Sequence, residues 1–562
     1  MPNVMVGPAV DSQLGSLNTK IMKLKNILLG LAALIHFPLQ AQVDTAWVRL
    51  WDSGQWDEVR DVTTDDSNNV YVAGWNYEWG VNYDFIFAKY DPAGNLKWSK
   101  TRNYATGDQA NHILYDPQGY IYVAGFVNGV YSTTGGSFCL MKYTVNGDSV
   151  WEYVDANTYV GQVSQMRMDA AGNIVLAGLE GTFGGMTYMT MKIDPNGNLL
   201  WYKTYDNNGP NRSNRINGMD LDAAGNVYVT GSCDDTATFA SDIITIKYSA
   251  LGDSLWLRKF NGPDSLHDTG EKIIVDPNNN VYIAGTVFRA SPDNSDWVLL
   301  KYDVAGTLLW TQYYDHQPAT RSYDAVVDMK LDGNGNPVVV GVISTTNAQA
   351  TLRYGLVKFN SNGDTLWTAK WGGDGDKKPT ELLLDSAGNS YISGNYYDLG
   401  GTGYNAVTLK YDANGSLQWQ ALYNDSTNLE ELLFAATLDR NHDLIVAGRQ
   451  HASLFFDFLT IKYTETATAV TPSEAVTSGD LRCFPNPFAG RTTVQYSLRQ
   501  PENVSLRLVD AFGKVIALTA AQRQNAGSHQ FQLEVGQLEA GIYHLELIAG
   551  EQRQRTTVVL LK

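Results

Sequence analysis

Asp65-Asp-Ser-Asn-Asn-Val-Tyr-Val-Ala-Gly74 is the stretch from which the fold can be read. Its step of nine residues from Asp to Gly recurs at Asp116/Gly125, Asp169/Gly178, Asp222/Gly231, Asp276/Gly285, Asp332/Gly341, Asp385/Gly394 and Asp439/Gly448. A second step of nine, from Lys to Trp, begins with Lys89-Tyr-Asp-Pro-Ala-Gly-Asn-Leu-Lys-Trp98. It recurs at Lys142/Trp151, Lys192/Trp201, Lys247/Trp256, Lys301/Trp310, Lys358/Trp367 and Lys410/Trp419. Lys462 has no Trp after it, and an unmatched Trp47 precedes the first copy.

Each step holds an apolar run, a turn rich in Asp, Pro, Asn and Gly, and a second apolar run, which is what a tight hairpin needs. Asp and Asn side chains bond nearby backbone, and Gly accepts positive φ. The spacing of 50 to 57 residues between tryptophans marks a repeat architecture. Two hairpins per period make a four-stranded unit, and such units arranged around an axis make a β-propeller. One repeat reads as strand a at 271–276, strand b at 281–285, strand c at 296–302 and strand d at 308–313. The expected class is therefore all-β, with a propeller over 43–463 and eight blades from eight Asp-to-Gly steps. Trp47-Val-Arg-Leu-Trp51 reads as a strand d without its own a, b and c, while the last repeat, 432–463, lacks a d. The N-terminal strand is expected to complete the last blade and hide the edges that would otherwise template aggregation.

Outside the repeats, residues 1–41 read as a secretory leader. Lysines open Met22-Lys-Leu-Lys-Asn-Ile-Leu-Leu-Gly-Leu-Ala-Ala-Leu-Ile, an apolar run short for a membrane span follows, and Ala41/Gln42 offers a cleavage point. Met22 is the expected start. No later segment is apolar enough to span a bilayer, so the mature chain is expected to be soluble or surface-attached, and monomeric. Thr, Ser and Ala dominate 464–480, which reads as a linker. Alternating runs at 493–498, 504–510, 529–533 and 542–547 predict a small Ig-like β-sandwich over 481–562. A net charge of -18 repels nucleic acid and anionic lipid and argues against both as partners. Cys139, Cys233 and Cys483 are scattered, which is neither a disulfide framework nor a zinc pattern.

Two resemblances follow from these residues. Asp-x-x-Gly-Asn-x-Tyr-Val-Ala-Gly followed by Lys-Tyr-Asp-x-x-Gly-x-x-x-Trp resembles the β-propeller repeat of bacterial secreted proteins, the seven-bladed SBBP-type repeat. That resemblance implies seven blades, the alternative to the eight counted here. Phe484-Pro485-Asn486-Pro487-Phe488, Gly513 and Lys514 in Leu508-Val-Asp-Ala-Phe-Gly-Lys514, Gly541 and Tyr543 in Gly541-Ile-Tyr543, and the terminal run to Lys562 resemble the C-terminal sorting domain of the type IX (Por) secretion system. This second resemblance implies export across the outer membrane of a Bacteroidota-type bacterium, recognition by the type IX machinery, removal of the tail, and release or attachment to surface lipopolysaccharide.

Catalytic motifs are absent. His112, His267, His316, His442, His451, His529 and His544 form no His-Glu-x-x-His pair, and no Gly-x-Ser-x-Gly elbow occurs. Residues repeated in every blade, such as the turn Asp and the strand c Lys, are structural first. No cofactor is expected, with calcium the alternative at Asp332-Gly-Asn-Gly-Asn336 or Gly372-Gly-Asp-Gly-Asp376, where oxygen ligands cluster without an EF-hand spacing. The paired acids Asp234 and Asp235 would suit glycosidase chemistry only at the right separation.

The a–b and c–d turns, with fixed spacing, share one face; the b–c and d–a loops, of 14–17 and 18–22 residues between markers, share the other. Loops free to differ on a rigid scaffold carry function. The expected ligand site is therefore Trp75, Tyr77, Trp79, Tyr131, Arg212, Arg215, Asp234, Asp235, His316, Arg321, Asp374, Asp376, Tyr396 and Tyr397, with Asn211 and Asn214 beside them. Aromatic faces plus orienting polar groups fit a carbohydrate. Three functions remain open: a secreted or surface-bound binding or scaffold module for carbohydrate or protein, a polysaccharide hydrolase or lyase, and a structural surface component.

Overall fold

The computed structural model describes residues 42–466 and 481–561, apart from 79–81, 105–106, 128–135, 156–161, 183–184, 207–213, 235–239, 291–293, 317–322, 345–351, 374, 398–402, 426–428 and 453–454 in the first span, and 487, 499–500, 511–514, 518–521, 535–537, 539–540 and 550–551 in the second. The expected leader and most of the expected linker lie outside the described residues. The chain divides into two compact units, Met1–Thr468 and Ala469–Lys562.

In the first unit, consecutive strands form seven four-stranded antiparallel sheets, over 56–102, 109–154, 162–205, 214–260, 268–314, 325–371 and 376–423. These are blades 1 to 7. Blade 8 joins Glu431–Leu438, Leu444–Ala452 and Phe455–Thr466 to the N-terminal strand Gln42–Trp51. The count is eight, not seven. Across each c–d hairpin the repeated Lys sits opposite the repeated Trp, as Lys89 opposes Trp98. In blade 8 Trp47 opposes Lys462, so the two unmatched residues of the sequence form the missing pair across the chain ends. Strand c of this blade runs to Thr466, slightly beyond the expected linker boundary, because Gln42 pairs with it there.

The core lies between blades. Strand b is buried along most of its length, whereas the outermost strand d shows an alternating, largely exposed pattern. Eight apolar clusters each draw on two neighbouring sheets, and the one containing Trp47, Val59, Ile86, Ile445 and Phe458 joins blade 8 to blade 1.

The repeated polar residues explain the seams. Asp65 Oδ1 accepts the backbone N–H of Ser67 and Asn69, and Oδ2 accepts the Asn69 amide at 2.7 Å, which closes the a–b turn with Asn68 at φ 61°. The Trp indole N–H of one blade donates to a carbonyl in the c–d turn of the next: Trp47 to Pro92, Trp151 to Pro195 and Trp256 to Val304. In blades 1 to 6 the strand c Lys reaches the same carbonyl as the Trp of its blade, as Lys142 does at Pro195, whereas Lys462 of blade 8 donates to Asp439 at 2.7 Å. Blade 8 has no c–d turn to offer blade 7, and the Glu465 carboxylate takes its place, accepting both Trp419 and Lys410.

Each strand a carries one bulge, shown by register shifts at 59/61, 110/112, 163/165, 216/218, 270/272, 326/328, 379/381 and 433/435. The Gly that ends the Asp-to-Gly step faces this bulge. A Cβ on Gly74 would lie 1.9 Å from the Glu58 carbonyl oxygen, so the spacing serves the bulge as well as the turn.

The second unit is all-β. Arg482–Phe484, Arg491–Leu498 and Gly527–Glu534 form a three-stranded sheet. The other sheet runs Phe488–Ala489, Gln552–Leu561, Gly541–Ala549, Glu502–Asp510 and Val515–Ala517, with Gln522–Gln524 also on Glu502–Asp510. One core takes Val494, Tyr496 and Leu533 from the first sheet and Leu506, Leu545 and Leu560 from the second. Phe488 and Tyr543 of the expected motif are buried in it, whereas Phe484 is exposed. Asn486 Oδ1 accepts the Val559 N–H at 2.8 Å, tying the motif to the terminal strand. Pro487, Gly513, Lys514 and Lys562 lie outside the described residues.

Candidate functional site

The residues expected in variable loops are mostly strand ends. Trp75 and Tyr77 belong to Val70–Glu78, Tyr396 and Tyr397 to Ser390–Tyr397, Arg215 to Asn214–Leu221, Asp234 to Val227–Asp234, and Asp376 to Asp376–Leu384. Trp79, Tyr131, Asn211, Arg212, Asp235, Arg321 and Asp374 lie outside the described residues. Trp75 and Tyr396, expected as exposed platforms, are each only 8% exposed. Strand b continues beyond its Gly, so alternation turns these rings into the sheet packing: Trp75 edge-on to Tyr83 at 5.0 Å, Tyr396 edge-on to Trp371 at 6.0 Å.

The remainder do not converge. The Tyr404 hydroxyl donates to Asp376 at 2.5 Å, Lys378 pairs with the same carboxylate at 2.8 Å, and Tyr397 packs on Tyr404. The His316 N–H donates to Asp324, and its ring, close to Lys370, is held below the usual histidine pKa by burial and then by Lys370 and Arg353. Arg215 is exposed and lines a cleft of about 360 Å³ with Gln162, Met186 and Asn217.

What does converge is the seam between blades 8 and 1. Trp56 meets Tyr77 at 6.0 Å and Phe456 at 5.9 Å, and Tyr77 meets Tyr83 at 4.5 Å. The Arg449 guanidinium stands 4.1 Å from the Phe456 ring and pairs with Glu58 at 2.6 Å and Glu430 at 2.7 Å. Arg60, the bulged residue of blade 1, lies over both Trp75 and Phe434 and pairs with Glu58. Among the described residues Trp75 Nε1, Asn76 Oδ1, Arg449 Nε and His451 Nδ1 are buried without a hydrogen-bond partner, and such atoms are costly unless something bonds them. Arg60, Glu58, Trp56, Phe434, Arg449 and Phe456 were not foreseen. The available signal was local: Phe455-Phe-Asp-Phe458 puts three aromatics in four residues at the start of strand c, where blade 1 has two, Tyr83 and Phe85, and the other blades at most one.

The bulges build a second polar surface beside this seam. Arg60, Asn111, Ser164, Asn217, Glu271 and Val327, six bulged residues from six blades, line one space of about 330 Å³ together with His112 and Lys272. Deeper in the ring, Asp328 is held between Lys272 and Lys330, which keep it below the usual carboxylate pKa although burial opposes ionisation. Glu381 is pushed up to about 7, first by burial and then by Asp328 and Asp61.

Of the two calcium loops read from the sequence, the first has no free oxygen on its described carboxylate, and the second leaves Asp376 Oδ1 buried without a hydrogen-bond partner among the described residues. Asp332 accepts Asn334 and Asn336 N–H, the Asn336 amide and Lys358 at 2.9 Å, so both its oxygens serve the turn and the seam. Asp376 is held by Tyr404 and Lys378 as above.

Comparisons with known proteins bear on the two units separately. An uncharacterized WD repeat-containing protein, L264, of Acanthamoeba polyphaga mimivirus is 23% identical over 375 residues, which is 54% of this chain and 25% of that relative. The chain thus spans a quarter of that relative's length. PorZ, a surface component of the type IX secretion system of Porphyromonas gingivalis, superposes with a TM-score of 0.37 at 12% identity, over 90% of this chain and 70% of PorZ. The polysaccharide lyase Uly1 superposes with a TM-score of 0.40 at 9% identity, over 72% of this chain and 89% of the lyase. Scores and identities this low carry no functional argument. Among the described residues no helix is long and apolar enough to cross a membrane. Residues 482–561 match the family described as the secretion system C-terminal sorting domain, the type IX tail that marks a chain for the cell surface or for secretion.

Proposed function

We propose that this chain is an exported, surface-acting propeller that binds carbohydrate at the seam between blades 8 and 1. The observation that supports this reading is the convergence there of Trp56, Tyr77, Arg60 and Arg449, with Arg449 Nε and His451 Nδ1 buried without a hydrogen-bond partner among the described residues. Sugars present apolar ring faces for aromatic contact and hydroxyls that both donate and accept, which suits the Trp56 and Tyr77 rings beside the charged groups of Arg60, Glu58 and Arg449. Beside the rings Arg60 and Arg449 balance Glu58 and Glu430, and that favours a neutral glycan over a polyanion.

In this reading the leader at 1–41 directs the chain out of the cytoplasm of a Bacteroidota-type bacterium, the Ig-like tail is removed by the type IX machinery, and the monomeric propeller is released or held on lipopolysaccharide. The repeat is of the SBBP type, run to eight blades. A glycan array followed by calorimetry tests the binding. Tyr77→Ala and Arg60→Ala should each weaken a bound glycan by tenfold or more, while Asn226→Ala, in a fixed turn, should leave affinity unchanged. New chain ends released from the glycan would assign the protein to the lyases or hydrolases instead. A folded propeller that retains no glycan would leave it a structural surface component.

A further inference from the structure

Asp52, Asp57 and Asp457 bring carboxylate oxygens within 4.8 Å of one another. They come from three separate segments: the end of the N-terminal strand, the first strand of blade 1 and strand c of blade 8. Asp57 is fully buried and accepts the Ser53 backbone N–H at 2.8 Å and the Ser53 hydroxyl at 2.7 Å. Asp457 is more than nine-tenths buried, at 8% exposure, and is aimed into the group. No hydrogen bond or basic side chain among the described residues meets its carboxylate, and none of the three acids has an ion pair. An enclosed carboxylate with neither partner is unfavourable in its charged form.

The other seams show how this fold handles the same positions. Asp57 stands eight residues before its turn Asp, and Asp457 five before its strand c Lys. Asp242 and Asp296 hold the second position in blades 4 and 5, and each is neutralised from within the protein, by Lys259 at 2.6 Å and by Arg289 at 2.6 Å. In blade 7 the first position is itself basic, and Lys377 donates to the Tyr397 carbonyl at 3.1 Å. Among the described residues the closing seam, of these four, is the one that brings three acids together with no cation paired to any of them, since its arginines, Arg60 and Arg449, pair with Glu58 and Glu430 instead.

We propose that Asp52, Asp57 and Asp457 form a calcium site that fastens the seam where the two ends of the propeller meet. All the ligands are oxygens, as a hard cation requires. With Ca–O distances of 2.3–2.6 Å, ligands on opposite sides of calcium stand about 5 Å apart, so one ion can reach oxygens that all lie within 4.8 Å of one another. Asp52 is exposed, so water completes the coordination from that side. The site is independent of the glycan reading, because it needs only the ring closure.

The test uses the full chain freed of metal with a chelator and titrated with calcium chloride by calorimetry and by thermal unfolding. One calcium per chain is expected, with a rise of several degrees in Tm. Asp457→Asn should abolish both while making the calcium-free protein more stable than the parent, since it removes a repulsive buried charge. Asp52→Asn is exposed and leaves the fold intact, so it decides the matter if Asp457→Asn does not fold; it should weaken calcium at least tenfold. Asp242→Asn, at the Lys259 seam, should leave calcium binding unchanged. The proposal is overturned by a folded parent with no calcium heat and no Tm shift, by an unchanged calcium affinity in Asp52→Asn, or by magnesium acting as well as calcium.

Discussion

Two glycines in equivalent-looking turns separate backbone preference from packing. Gly94 in the first c–d turn has φ 79°, and a Cβ there would lie 2.7 Å from the Trp47 ring. Gly119 in an a–b turn has φ 91°, and a Cβ would meet nothing within 4 Å. Ala at Gly119 is therefore expected to cost only the left-handed penalty of about 1–2 kcal/mol. Ala at Gly94 should cost about 1–3 kcal/mol more, from overpacking against a ring that closes the propeller. Urea denaturation of the two variants checks the difference; equal costs would mean that Trp47 yields without strain. At this scale the repeat was legible, because Asp65, Asn69, Gly94 and Trp98 act through neighbours at fixed sequence distance. Trp75 was not, since its burial depends on a strand that outruns its own Gly by four residues to Glu78.

Ring closure is decided by two segments, Gln42–Trp51 and the end of strand c around Glu465. Deleting 43–52 removes the fourth strand of blade 8 and leaves Phe455–Thr466 as an open edge, so aggregation is expected in light scattering. Trp47→Ala retains the strand and should cost about 3–5 kcal/mol, the range for a buried aromatic truncated to Ala. Glu465 stands in for a turn carbonyl and holds Lys410, Trp419 and Tyr391. Glu465→Ala should cost about 1–3 kcal/mol by the same denaturation measurement, less than a fully buried pair because the Glu465 side chain is 27% exposed. A Glu465 variant as stable as the parent would show that Lys410 finds another acceptor. The N-terminal strand was readable because Trp47 was a Trp without a Lys. Glu465 was not, because nothing local distinguishes it from a linker acid.

For the whole molecule, buried carboxyls set the pH response. Burial pushes Glu180, Glu381 and Glu431 up to about 7 and Asp268 and Asp324 up to about 6. Each keeps a proton in the folded state where the unfolded carboxyl has lost it, so this contribution is complete below the ordinary range of about 4 and is lost as the pH rises through 6 to 7. Asp169 and Asp332 act in the opposite sense. Burial resists their ionisation, but Asn173 and Lys192, and Lys358 and Asn336, hold them low, and their contribution is lost only as the pH falls below about 4. Tm should therefore fall between pH 5 and pH 8, and a Tm that rose across that interval in a scanning measurement would contradict these shifts. Export belongs to this scale as well. In a host with a type IX system, loss of 482–561 should leave a folded propeller inside the cell envelope, whereas the intact chain reaches the medium or surface; immunoblots of the fractions distinguish the two.

The sequence by itself determined the all-β class, the eight blades, the completion of the last blade by the first strand and the type IX tail. Each rests on residues that act within a hairpin or at a period of 50 to 57 positions, where spacing along the chain stands for distance in space. Only the tertiary structure decided the candidate site. Arg60 faces the seam because a bulge adds one residue to its strand, and it meets Phe434 and shares Glu58 with Arg449 because the ring closes. The three acids Asp52, Asp57 and Asp457 are brought together in the same way, from positions some four hundred residues apart. No pattern within one repeat encodes a contact between the first blade and the last; it follows from the number of blades and from the closing of the circle.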